Sequence, residues 1–155
     1  MTKPTVRAIP DGVRTLTPQL ICEGAAEAIK FYTKAFDAVE VMRFAGPDGK
    51  LMHAEIKIGD STLRLMDAMN GASGPKSLKG SPVMVDMQVE DADAVVKKAV
   101  AAGAKITMPL ADQIWGDRYA QLEDPFGHHW SVATHIRDVS PKEIKEAMQA
   151  MAGKS

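Results

Sequence analysis

The sequence is poor in the features that usually announce chemistry. It holds one cysteine, Cys22, which excludes an internal disulfide and fits a reducing compartment. Cys22 lies in an apolar strand-like run, so it reads as a core thiol rather than a nucleophile. Aromatic residues are scarce, at 5% of the chain, and neither sign of charge prevails: 19 Lys and Arg face 20 Asp and Glu. That balance leaves no electrostatic footprint for nucleic acid or an anionic membrane. No apolar run reaches the roughly 20 residues of a transmembrane helix, and MTKPTVRAIPDG at the start lacks the apolar core of a signal peptide. Phosphate loops, Ser/His/Asp or Cys/His sets and zinc-type Cys/His spacings are missing too. These absences predict a cytoplasmic single domain over 1–155, long enough to bury roughly 70% of its unfolded surface.

What is present is an internal repeat. AIKFYTKAFDA (28–38) and AVVKKAVAAGA (94–104) share helical apolar spacing and lie 66 residues apart. A strand-like run precedes each, TLTPQLIC (15–22) and PVMVDMQV (82–89). Further runs follow: AVEVMRFA (38–45), LMHAEIKI (51–58) and STLRLMD (61–67), then KITMPLADQI (105–114), DRYAQLE (117–123) and HHWSVATH (128–135). Turn signals GPDG, GDS and DPFG separate them; in the last, Asp124, Pro125 and Gly127 suit positions i, i+1 and i+3 of a type I turn. The prediction is an α+β fold of two tandem β-α-β-β-β modules, about 13–69 and 83–137. The Gly/Ser/Pro-rich stretch 70–82 joins them. SPKE at 140–143 then starts a C-terminal helix over about 140–152, with Ser140 as cap, Pro141 first and Glu143 closing a capping box. Its stripe Ile144, Ala147, Met148, Met151 fits either docking on its own domain or reaching a second subunit.

Period-2 alternation assigns the strand faces. Val85, Met87 and Val89 oppose Asp86 and Gln88. Met52, Ala54, Ile56 and Ile58 oppose His53, Glu55 and Lys57. Leu63 and Leu65 oppose Thr62, Arg64 and Met66. The apolar sets should meet helix stripes of Ile29, Tyr32 and Phe36 and of Ala92, Val95, Val96 and Ala99. The opposite, mixed polar face either lines a cavity or partner interface or is simply solvated.

The stretch DPFGHHWSVATH (124–135) invites a metal reading, which strand geometry resists. At about 3.3 Å per residue, His128 and His129 point to opposite faces, while His129 and His135 share a face roughly 20 Å apart. Ligands of one zinc sit about 2 Å from it, so no two of these histidines serve one ion from a single strand. His129 and Ser131 are assigned to the cavity face, and Trp130 to the core.

Four longer motifs carry a family resemblance: AEAIKFYTKAF (26–36), MHAEIKIGDSTLRL (52–65), MPLADQIWGDRYAQLEDPFGHHWSVATH (108–135) and DVSPKEI (138–144). In this order, over about 13–137, the chain resembles the vicinal oxygen chelate superfamily of glyoxalase I, bleomycin-resistance proteins and extradiol dioxygenases. It looks most like the branch labelled demethylubiquinone methyltransferase-like, although no glycine-rich loop of the type that cradles S-adenosylmethionine is present. The resemblance implies an open, curved mixed sheet with helices outside, a homodimer and a cavity inside the curve. It also implies four metal-ligand positions, one on the first and one on the last strand of each module. Carried over, these are Thr17, Arg64 (or Met66), Met84 and Ser131, a set that does not suit a divalent cation bound by nitrogen and oxygen.

The expected function is therefore small-molecule binding in a cavity without metal or other cofactor, as in the bleomycin-resistance relatives. Gln19, Arg64, Met66, Trp115, Arg118, His129 and Ser131 are the candidate contacts. Trp115 and Arg118 suit a planar, anionic ligand; an Asp117–Arg118 surface pair with Tyr119 in the core is the plainer alternative. His53 and Glu55 share a strand face and are candidates for an acid and a base. Two alternatives stay open. A slipped register could assemble Gln19, His53, Glu55 and His129 around a divalent metal in a lyase, isomerase or dioxygenase, or the chain could be a non-enzymatic interaction module acting through its C-terminal helix.

Overall fold

The computed structural model describes residues 6–154. Two four-stranded sheets carry the fold. In the first, β1 (Gln19–Cys22), β4 (Ser61–Asp67), β3 (Leu51–Ile58) and β2 (Val39–Ala45) lie side by side in that order, with α1 (Ala25–Phe36) crossing over from β1 to β2. The second sheet repeats the arrangement as β5 (Met84–Gln88), β8 (His129–His135), β7 (Asp117–Glu123) and β6 (Lys105–Asp112), with α3 (Ala92–Ala102) as its helix. Each sheet is mixed: the β1–β4 and β5–β8 pairs are parallel and the rest antiparallel. Both sheets are open, with the helices outside, and α4 (Pro141–Ala152) follows. Among the described residues no helix is long and apolar enough to cross a membrane.

Each module fastens its helix to its last strand with one side chain. Gly24 leaves the start of α1 without a side-chain cap. Asp67, at the end of β4, supplies it: Oδ1 accepts the N–H groups of Gly24 and Ala25, and Oδ2 accepts that of Leu51. In the second module Thr134 Oγ1 accepts from Ala92 N–H and donates to Val89 O, while Asp91 caps Ala94. Asp67 with Ala25 therefore matches Thr134 with Ala92, which shifts the repeat by one residue from the 66-residue spacing read off the helices.

The core sits between helices and sheets and continues across the modules. Tyr32 and Phe36 of α1 stack on each other and meet Trp130 of β8, with ring centroids 5.4 and 4.9 Å from Trp130. Phe31 meets Phe126, from the turn before β8, edge-on. At the centre of this seam lies Asp124, a buried carboxylate. Its Oδ2 accepts from Tyr32 OH at 2.5 Å and from Trp130 Nε1 at 2.9 Å. Its Oδ1 accepts the N–H groups of Phe126 and His128, and Gly127 N–H closes the type I turn onto Asp124 O. Four donors on one carboxylate leave no polar orphan in an apolar seam. Burial, then the charge of Asp124, pushes the Tyr32 hydroxyl well above its ordinary pKa. Burial pushes the Cys22 thiol up to about 12, with Asp124 and Asp67 adding to it.

One expectation needs correction and two are filled in by the structure. Met52 faces out, 57% exposed, and Leu51 is buried at 2% in its stead. The cause is a register shift between Phe44 and Ala45: Ala45 pairs with Leu51, whose N–H is held by Asp67. Second, 70–82 is not bare loop. It forms a short helix, α2 (Pro75–Leu78), with proline at its start and Ser77 held by Glu23. Third, the stripe of α4 is only partly covered by the described residues: Ile144 and Ala147 are half-buried, Met148 and Met151 are exposed, and the Ser140–Glu143 capping box forms as anticipated.

Candidate functional site

Side chains opposite the buried sets define one uncovered face on each sheet. On the first, Gln19, Arg64, Glu55 and Met42 line up across four strands, and Phe44 pairs with His53. Gln19 Nε2 lies 3.1 Å from Met66 Sδ. Arg64 Nε donates to Glu55 Oε1 at 3.2 Å, and His53 Nε2 lies 3.6 Å from that same oxygen. Phe44 stacks on the His53 ring and is 60% exposed. Arg64 thus engages the carboxylate that a His53–Glu55 acid–base pair would need.

On the second sheet Met84, His129 and Glu123 form one row and Asp86, Ser131, Gln121 and Met108 the next. Ser131, almost fully buried, donates to Asp86 Oδ1 at 2.5 Å. Gln121 Nε2 donates to Tyr119 OH at 3.0 Å, and that hydroxyl lies 3.8 Å from Met84 Sδ. Trp115 meets Tyr119 edge-on and donates Nε1–H to Asp117. His129 borders a recess of about 360 Å³ shared with Pro75, Lys76, Lys79 and Glu123.

The candidates divide accordingly. Gln19, Arg64 and Met66 share one face with His53 and Glu55; His129 and Ser131 lie on the other sheet, with Trp115 beside its Tyr119. Arg118 belongs to neither. It projects on the helix side, forks onto Asp93 of α3 with Nε and the second guanidinium nitrogen, and reaches Asp112 with the third. The guanidinium holds the Asp93 carboxyl below its ordinary pKa. The Asp117–Arg118 pair is likewise replaced: Asp117 takes Trp115 and His135, which also reaches Asp138. Asp86, Gln121, Met42 and Phe44 were not singled out as contacts from sequence, and Tyr119 was named only as a core residue. Asp86 had registered only as the polar side of an alternation, and the signal that could have found it is its cross-strand position opposite Ser131.

The metal positions implied by the resemblance do not fit a divalent cation. Arg64 brings a positive charge already committed to Glu55, Ser131 spends its hydroxyl on Asp86, and Met84 and Met66 offer soft thioethers. The slipped set fares no better: Gln19 is on Met66, Glu55 is on Arg64, and His129 stands with Met84 and Glu123 on the other sheet. Among the described residues no three His, Cys, Asp or Glu side chains converge as a metal site.

Comparison with known proteins agrees with this architecture. The model of the glyoxalase/bleomycin resistance protein/dioxygenase superfamily matches residues 14–132. The Mycobacterium tuberculosis protein Rv0887c is 47% identical over 140 residues, covering 87% of this chain and 82% of its own. The crystal structure of the Arabidopsis thaliana At5g48480 product superposes with a TM-score of 0.65 at 28% identity, over 78% of this chain and 98% of that one. The PhnB protein of Bacillus cereus superposes with a TM-score of 0.61 at 20% identity, over 78% and 99%. The chain belongs to the glyoxalase/bleomycin resistance protein/dioxygenase superfamily.

Proposed function

We propose that the protein binds a small organic molecule on its uncovered sheet faces, as a cytoplasmic homodimer and without a metal or other cofactor. The observation that carries this is the composition of those faces. Met42, Phe44 and Met84 stand exposed among the paired polar groups Arg64–Glu55, Ser131–Asp86 and Gln121–Tyr119. A face meant only for water has little use for that many thioethers and rings, whereas ligand sites combine apolar lining with a few fixed polar groups. A second copy closes the open faces into a cavity. The ligand class that suits them is flat and polarisable, because methionine and aromatic side chains adapt to such surfaces.

Thermal-shift measurements with bleomycin, aromatic peptide antibiotics and glutathione thioethers, in the presence of EDTA, test the reading. A ligand at about 100 times its dissociation constant stabilises by about 2.7 kcal/mol. Such a shift should vanish in Tyr119→Ala and Met84→Ala. Stoichiometric metal in untagged protein, with ligand binding lost on its removal, would sink the metal-free reading. A null result across all ligand classes would sink the binding reading.

A further inference from the structure

Two apolar features stand partly uncovered among the described residues, and the internal repeat relates them. The first is a groove of about 970 Å³ at one seam between the modules, bounded by Phe36, Ile58, Leu63, Val85, Met87 and Trp130. The second seam, equivalent by the repeat, is filled by the chain itself. There the Asp124–Gly127 turn seats Phe126 against Phe31, and His128 Nε2 meets Ile21 O at 2.9 Å. Helix α2 completes the cover: a Cβ on Gly74 would stand 3.2 Å from Ile21 O, and one on Gly127 would stand 2.8 Å from Pro75. Around the groove the matching turn, Gly59–Ser61, is one residue shorter and brings no ring. β5 pairs only with β8, so the other edge of β5 runs bare along the groove.

The segment that follows the first module supplies α2; the segment that follows the second supplies α4. Both helices begin with proline. Yet α4 does not fold back as α2 does. Ile136 and Arg137 donate their N–H groups to Gly116 O, in the β6–β7 turn. That turn lies on the β7 flank of β8, away from β5, and His135 ties Asp138 to the same flank. The helix therefore starts from the flank away from the β5 edge, with Ile144 and Ala147 half-buried and Met148 59% and Met151 62% exposed.

We infer that α4 of one copy seats its Ile144, Ala147, Met148, Met151 stripe in the seam groove of a second copy. Charge agrees with the fit. Lys142 and Glu146 pair with each other on the far face of the helix. Lys145, on the shoulder of the stripe, has no ion-pair partner among the described residues; at the groove Lys98 is paired with Asp37, and Asp60 stands exposed at the lip near Lys57. Docking also accounts for a helix of 12 residues with a complete capping box: alone in water that length is marginal, so it needs a packing partner. The inference does not depend on whether the sheet faces hold a ligand.

Hydrogen exchange and cross-linking test it together. In the intact protein at dimer-forming concentration, the α4 amides should exchange at least tenfold slower than in the free peptide 138–155. Met148→Lys with Met151→Lys should abolish that protection while the sheet amides stay protected. When Met148→Cys chains are mixed with Met87→Cys chains and oxidised, a covalent dimer should form in excess of either variant alone. Exchange of α4 at the free-peptide rate overturns the inference, as does protection that survives the double lysine variant. A double variant Met87→Cys, Met148→Cys that closes only within one chain overturns it as well, since the helix would then serve its own groove.

Discussion

Asp124 offers the sharpest quantitative test of how the two modules are held together. Its carboxylate accepts from Tyr32 OH, Trp130 Nε1 and two backbone N–H groups. In Asp124→Ala the buried Tyr32 and Trp130 donors lose their acceptor, at about 1–3 kcal/mol each, and the turn loses two hydrogen bonds to backbone at about 0.5 kcal/mol apiece. The expected cost is about 3–7 kcal/mol, or a Tm lower by roughly 6 °C or more for a chain of this size. Asp124→Asn keeps the oxygen that serves the backbone but presents an amide to Trp130 N–H. The Tyr32 hydroxyl can turn and accept from that amide, so one unpaired donor remains, about 2 kcal/mol. Tyr32→Phe leaves the carboxylate three donors and should cost about 1 kcal/mol. Urea unfolding followed by tryptophan fluorescence, with m-values compared, reads all three. The reasoning fails if Asp124→Ala falls within about 1 kcal/mol of wild type, or if Tyr32→Phe is the most damaging of the set.

Three further outcomes are expected. Cys22, wholly buried with its thiol pushed up to about 12, should not react with a disulfide reagent at pH 8 until the protein is unfolded; stoichiometric labelling of the native state would contradict its placement. His135, between Asp138 and Asp117, should titrate above its ordinary value, so its favourable contribution is full below about pH 6.5 and fades as pH rises through the elevated pKa. An NMR titration in which Asp138→Asn leaves that pKa unchanged would count against the pair. Gly116→Ala should destabilise by about 2 kcal/mol or more, because its φ is +100° and a Cβ there would stand 2.1 Å from Arg137 O; a circular-dichroism melt matching wild type would refute the close approach.

Much of the architecture was legible in local pattern. Alternation and helical spacing place Ile29, Tyr32, Phe36, Leu63 and Leu65 inside, and the DPFG turn and the Ser140–Glu143 box form as their residues dictate, since each is a short-range interaction. Met52 shows where that legibility stops: it is the extra residue of a bulge in β3, skipped between the Phe44–His53 and Ala45–Leu51 pairs, and only the pairing with the neighbouring strand reveals it. Arg118 was misread for a similar reason. Its sequence neighbour Asp117 is the obvious partner, but adjacent strand residues point to opposite faces, and the carboxylates that reach it come from α3 and β6.

By itself, then, the sequence determined the repeat, the elements and the family, because these depend on residue type and spacing. Tertiary structure decided the pairings: Arg64 with Glu55, Ser131 with Asp86, Tyr32 and Trp130 with Asp124. It also decided that one seam is filled while the other is open, and that Met148 and Met151 of α4 are left exposed. Ser131 and Asp86 are 45 residues apart and Tyr32 and Asp124 are 92 apart, so no short window holds both partners. Arg64 and Glu55 meet only because β3 and β4 pair in this register.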